Sequence, residues 1–199
     1  MHALVHRALY CFLRDSHGPA LRDRVGLAAG LPGGCAGAGG LGAVDPALTD
    51  RLVAVAAAEL GIAGDALLED LGTYLVSHPT MAPMRRLLRY GGICFEDFLH
   101  ALPDLPDRAR LAVPDFRLPA FDLRDDGAGR YRLRLGPGWA GVGPIVIGTL
   151  RAMADDYGAL VLLGHEAGAQ GDDRIGIEVV DLGFASARAF ELARPEARG

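Results

Sequence analysis

Lysine is missing altogether: all twenty basic residues of this 199-residue chain are arginines. We read that as a composition bias and not as function. Cysteine is scarce and odd in number, with Cys11, Cys35 and Cys94 far apart. Neither a disulfide framework nor a CxxC metal site follows from that spacing, and a reduced, cytoplasmic protein is the simplest expectation. No apolar stretch reaches the ~20 residues of a membrane span, and the opening Met-His-Ala-Leu-Val-His-Arg has no apolar signal-peptide core. A basic surplus is absent too: the net charge is -5, which argues against a general nucleic-acid binder.

What is present suits one domain with a sizeable core. Half of the residues are hydrophobic and 23% are charged. Residues 1–16 read as a helix, with Leu4, Ala8, Cys11 and Phe12 on one side and Val5 and Leu9 widening the stripe. His17-Gly18-Pro19 breaks it, and a short helix over 20–29 follows. Residues 30–43, rich in Gly and Ala, read as a loop without side chains to order it. Asp45-Pro46 opens a helix to Leu60, stopped at Gly61. Asp65 is expected to cap the next helix, which has Leu67, Leu68, Leu71, Tyr74 and Leu75 on its apolar side and ends at His78-Pro79. Short helices follow at Met84–Tyr90 and at Phe95–Leu102, the latter limited by Pro103 and Pro106.

From residue 116 the pattern becomes extended. Phe116–Leu123 contains Pro119 and suits an edge or a linker. Asp125-Asp126-Gly127 is expected to turn the chain into Arg130–Leu135, where Tyr131, Leu133 and Leu135 alternate with arginines. Val142–Tyr157 reads as helix, and Ala159–Leu163 and Ile175–Asp181 as strands. The expected fold class is α+β: an N-terminal helical subdomain, then an antiparallel sheet packed with a long helix. One domain over 1–184 is expected, divided into 1–60 and 61–184, with a tail at 185–199.

The six histidines have no HExxH or HxH spacing. His2 and His6, four apart on a helix, read as a solvated pair. Asp155-Asp156 reads as a solvated helix end and Asp172-Asp173 as a turn. Ser16-His17 lacks a nucleophile motif. No catalytic constellation stands out, and a non-enzyme is expected.

The order of local motifs resembles the haem–nitric oxide/oxygen binding (H-NOX, or HNOB) domain family from Met1 to about Phe184. The matching segments are Phe12-Leu13-Arg14-Asp15-x-x-Gly18, Leu68-x-x-Leu71-Gly72, Asp97-Phe98-Leu99-x-x-Leu102-x-x-Leu105, Val113-Pro114-Asp115-x-x-Leu118-Pro119-x-Phe121, Pro144-x-Val146-x-Gly148-x-Leu150 and Gly171-Asp172-Asp173-Arg174. The resemblance implies a haem between a helical part and a sheet part, a histidine on the iron, and a Tyr-x-Ser-x-Arg grip on the propionates. It also implies nitric oxide sensing that ends in conformational control of a partner, such as a diguanylate cyclase or a histidine kinase.

By the same resemblance Val5, Leu68, Leu75 and Pro79 fall on the distal wall and Pro114 against the porphyrin, with Leu102, Pro106 and Leu133 also along the pocket. Pro106 stands where the family has its iron-binding histidine, and its nitrogen, tied into an amide, has no lone pair to give. Started at Tyr131, the propionate motif has Leu133 and Leu135 at its Ser and Arg positions; anchored on Pro144 instead, its three positions fall on Leu135, Pro137 and Trp139, and neither register restores it. His100 is the nearest alternative metal ligand, with His78 behind it, although His100 lies on the helix side opposite Leu102. Two readings stay open: a haem-linked gas sensor, and a haem-free regulatory or small-ligand module on the same scaffold.

Overall fold

The structure, a computed structural model, describes residues 3–31, 46–113, 116–139, 141–166, 168 and 172–185. The order of elements is α1 (Ala3–His17), α2 (Pro19–Ala28), α3 (Pro46–Leu60), α4 (Gly64–Ser77), α5 (Ala82–Arg89), α6 (Phe95–His100), α7 (Leu105–Ala112), β1 (Phe121–Gly127), β2 (Arg130–Leu135), α8 (Val142–Tyr157), β3 (Leu160–Glu166) and β4 (Arg174–Asp181). The four strands form one antiparallel sheet in the order β1-β2-β4-β3. The α+β architecture with a long helix on the sheet is the one expected.

Two apolar cores lie on either side of the α4–α8 pair. The first joins Leu9, Leu13, Val25, Leu52 and Ala56 to Leu67 and Leu71 of α4. The second joins Phe95, Phe98 and Leu102 to Leu133 and Leu135 of the sheet and to Leu150 and Met153 of α8. Alternation makes this possible: in β2 the buried residues are Tyr131, Leu133 and Leu135, and the arginines between them are exposed.

The helices α4 and α8 cross with their backbones almost touching. A Cβ at Gly72 would land on the carbonyl oxygen of Ile145, and one at Gly148 on that of Glu69. Only hydrogen side chains permit this approach. Each glycine precedes a threonine, and the two dipeptides face each other. The Thr73 hydroxyl donates to the Gly148 carbonyl at 3.4 Å, and the Thr149 hydroxyl lies 3.5 Å from the Gly72 carbonyl while donating to Ile145 at 2.9 Å. Arg151 and Glu69 close the crossing at 2.9 Å.

Several expectations are corrected. Asp65 lies inside the first turn of α4, and Ala63 is the cap residue, so Asp65 acts through the helix dipole. Phe95–Leu102 is not one helix: α6 stops at His100, a 3-10 turn follows at Leu102–Asp104, and α7 starts at Leu105. Pro103 and Pro106 begin helical turns instead of ending one, because a first-turn N–H has no helical partner to lose. Asp125, Asp126 and Gly127 belong to β1, and the turn is Ala128-Gly129, both with positive φ as a tight hairpin requires. β3 continues past Leu163 to Glu166. The loop expected at 30–43 falls almost wholly outside the described residues, and the tail expected at 185–199 does so beyond Ala185.

Asp156 is no solvated helix end. It is buried, ion-paired with Arg85 and 3.6 Å from Arg89, and Arg89 also lies 3.9 Å over the Tyr157 ring. This clamp fixes α5 to the end of α8. Asp173 is equally buried, 3.2 Å from His165, with its carboxylate against Gly143 in the first turn of α8, where a negative charge is favoured.

Two outcomes are expected from stability measurements. Gly72→Ala should cost about 1–3 kcal/mol, whereas Gly64→Ala should be nearly neutral, because a Cβ there meets only Val53 at an ordinary 3.5 Å. Asp156→Ala should cost about 3 kcal/mol by leaving two arginines without their buried counter-ion. Denaturant unfolding followed by circular dichroism checks both.

Candidate functional site

The positions singled out by the family resemblance lie along α1, α4, α6, α7 and β2. Leu68 is buried in the first core and Leu75 packs against that core. Leu102 and Leu133 are buried in the second. Val5 is half-buried on α1, Pro106 is half-buried in the first turn of α7, and Pro79 is exposed at the start of a 3-10 turn. The four leucines therefore divide between two cores. Pro114 lies outside the described residues.

The space between α6, α7, the sheet and α8 is largely apolar. Phe98, Leu102 and Leu105 join one continuous buried cluster with Phe121, Leu133, Leu135, Val146 and Leu150. The heteroatoms among the buried side chains of that cluster are the Tyr131 hydroxyl, on Glu96, the Tyr157 hydroxyl, on the Gly92 carbonyl, and the Met153 thioether; no imidazole is among them. Leu133 and Leu135 are each 1% exposed, so their positions offer a carboxylate neither hydrogen bond nor charge. The neighbouring arginines, Arg132 and Arg134, are on the other face of the sheet.

Each described histidine is occupied elsewhere. His100 is exposed, 3.9 Å from Asp125 and edge-on to the Tyr131 ring, outside the core that Leu102 enters. Its predicted place opposite Leu102 is the one observed. His78 ends α4, with Nδ1 2.8 Å from the Thr80 hydroxyl and its ring stacked on Tyr74 at 4.7 Å. His165 pairs with Asp173, and the His17 ring meets Phe12 edge-on. His6 corrects the expectation of a solvated pair: it is 2% exposed, facing Thr49 of α3 at 3.4 Å and Tyr10. Burial holds its imidazole below the usual histidine range. His2 lies outside the described residues. Among the described residues no three His, Cys, Asp or Glu side chains gather as a metal site.

Haem, as the resemblance implies it, needs an axial donor on the core side of α6–α7 and a polar anchor for its propionates. The position the resemblance assigns to the first holds a proline, and that assigned to the second holds two buried leucines in one register and Pro137 and Trp139 in the other, none of them a serine or an arginine. The residues present do not fit an axially ligated haem.

What the region does contain is a set of polar ties at the rim. The Tyr131 hydroxyl donates to Glu96 of α6 at 3.1 Å. Burial, reinforced by the Glu96 carboxylate, pushes this phenol up to about 12. On the other side of α4, the Tyr74 hydroxyl donates to Asp15 of α1 at 2.7 Å. Arg14 and then Tyr74 hold the Asp15 carboxyl below the usual range. Trp139, the only tryptophan, folds over Gly141 ahead of α8 and donates to Asp50 of α3 at 2.7 Å. Sequence reasoning missed this tie; the single tryptophan between glycines was its only signal. Among the described residues no helix is long and apolar enough to cross a membrane.

The Tyr131 proton gives a measurable consequence. Because the folded phenol ionises near 12 and an unperturbed one near 10, its support for the fold is complete below pH 10 and is lost as the pH rises through 12. In a spectrophotometric titration, Tyr131→Phe should remove the tyrosinate signal that develops near pH 12, and alkaline unfolding should lose part of its pH dependence.

The sequence matches the Haem-NO-binding family model over residues 2–163. Among solved structures, the fold is similar to the Fe(II) unliganded H-NOX protein from K. algicida, with a TM-score of 0.72, 15% identity, and 96% of this chain and 100% of that chain covered. It is similar to the H-NOX protein from S. oneidensis in the Fe(II)NO ligation state, with a TM-score of 0.73, 12% identity and coverage of 91% and 100%. An oxygen-binding H-NOX domain related to soluble guanylate cyclases, solved as its oxygen complex, gives 0.66, 12%, and 95% and 100%. No curated protein matches the chain in sequence. With the family match spanning most of its length and the fold shared with these structures, the chain belongs to the Haem-NO-binding family.

Proposed function

We propose that this chain is a regulatory domain that controls a signalling partner, such as a diguanylate cyclase or a histidine kinase, through the relative placement of its two cores, and that it does so without an axially ligated haem. The observation that carries the haem-free part is Pro106. It occupies the family's ligand position in α7, and every histidine described elsewhere in the chain is held by other contacts. The gas-bound and unliganded iron states named for the solved H-NOX structures are properties of those proteins.

The conformational part rests on the α4–α8 crossing. Movement of one core relative to the other passes through a contact that two glycines, two threonines and one ion pair define. Trp139–Asp50 and Tyr131–Glu96 tie the outer elements to either end of this frame. A partner that grips one core while another contact fixes the second would read such a displacement.

Haemin titration of the purified protein, with excess removed, tests the first part. The expected result is no sharp, saturable Soret band. A saturable band abolished by His100→Ala or His78→Ala would establish axial ligation and replace this reading with the haem sensor. Assay of a purified diguanylate cyclase and of a histidine kinase, with and without the domain, tests the second part: a change in the activity of one is expected, and no change in either counts against partner control.

A further inference from the structure

One buried base in the helical half has no part in the fold's polar ties or in the proposed function. His6 of α1 is 2% exposed within the first core, and its polar neighbour, Thr49 of α3, is fully buried. The imidazole Nδ1 lies 3.4 Å from the Thr49 hydroxyl, and the ring leans on Tyr10 at 5.4 Å. Nε2 is buried and has no hydrogen-bond partner among the described residues. A position that needed only apolar volume would be served by leucine, as at Leu9 and Leu13 of the same helix.

The site suits one charge state of this ring and not the other. A neutral imidazole is served by Thr49 and forgoes one bond. An imidazolium carries two N–H donors and a charge, and Thr49 offers an acceptor to one donor alone. The elements packed around His6 supply no counter-ion. On α3, Asp50 is taken by Trp139 and Arg51 is exposed. From α2 come Leu21 and Val25, and from α4 leucines and the Tyr74 phenol, which is on Asp15. On α1 itself Arg7 is exposed and Tyr10 is a phenol. Burial alone accounts for the lowered pKa of His6. The sign follows: stability from the neutral ring is complete above the ordinary value of 6.5 and falls as the pH drops from there through the lowered folded value.

The contact is joined to the seam between the two halves. Thr49 and Asp50 are consecutive on α3: the first meets His6 of α1, and the second accepts the Trp139 indole N–H at 2.7 Å, just ahead of α8. We propose that this arrangement is an acid-operated latch. With His6 neutral, α1 and α3 stay packed and Asp50 holds Trp139. When His6 takes a proton from water, the imidazolium leaves the core, α3 moves off α1, and the Asp50–Trp139 tie opens. Two other groups would loosen the same tie if they titrated first: Asp50 itself, and the His165–Asp173 pair, which lies against Gly143 in the first turn of α8. The test has to separate them.

Nuclear magnetic resonance of the isotope-labelled full chain, titrated from about pH 8 to about pH 5, does so. The His6 ring and the Trp139 indole N–H should shift together, with one midpoint below 6.5. Amides of α1 and α3 should exchange about tenfold faster or more at the acid end. His6→Gln keeps a polar group toward Thr49 and cannot take the proton, so its indole signal should stay flat over this range. Asp50→Asn, whose amide oxygen still accepts from Trp139, and His165→Gln should both retain the step. An indole signal that does not move, that moves apart from the His6 ring, or that still moves in His6→Gln would overturn the proposal. Loss of the step in His165→Gln or in Asp50→Asn would overturn it too, by assigning the proton to another group. Should circular dichroism show His6→Gln unfolded at every pH, the coincidence of the two wild-type midpoints decides. The latch belongs to the domain alone, so its failure leaves the haemin titration and the partner assay to be judged separately.

Discussion

Two peptide backbones in near contact organise this molecule. At the crossing of α4 and α8 there is no room for a methyl group on either Gly72 or Gly148. The helices consequently share carbonyl oxygens and threonine hydroxyls at a distance where most helix pairs have side chains interposed. Everything else is arranged about this contact: α1 to α3 close a core on one flank of α4, and the sheet with α5, α6 and α7 closes another around α8. Because interiors are packed at crystal-like density, a frame of this kind transmits displacement and does not absorb it.

The architecture and the cofactor chemistry separate in this chain. The chain belongs to the Haem-NO-binding family and shares its fold with solved H-NOX structures. The positions that the resemblance assigns to the iron ligand and the propionate grip hold no histidine, serine or arginine. The replacement is chemically consistent, since a buried anchor without a ligand to hold would be an unsatisfied polar group. Leu133 and Leu135 add apolar area to the second core.

Periodicity and punctuation made most of the elements legible. Alternation in Tyr131–Leu135, Pro-Gly signals around α2 and α3, and the apolar period of Val142–Tyr157 predicted elements that the structure contains. Expectations failed where a local signal had two meanings. Pro103 and Pro106 looked like helix stops because proline breaks interiors, yet each starts a turn. Asp156 looked like a solvated helix end and Asp173 like part of a turn; their partners, Arg85, Arg89 and His165, are not sequence neighbours. His6 looked solvated for the same reason, its partner Thr49 being 43 residues distant. The Gly-Thr dipeptides were visible as part of family motifs, but their meaning required knowing which helices meet.

The lone tryptophan has a practical consequence. Trp139 is at the seam, its indole ring folded over Gly141 and its N–H on Asp50 of α3, so it touches the helical half from the doorstep of α8. With no second indole anywhere in the chain, tryptophan emission, excited on the long-wavelength side of tyrosine absorption, comes from this one junction. The molecule carries its own optical gauge of how its halves are seated, read without a dye, a label or an engineered residue.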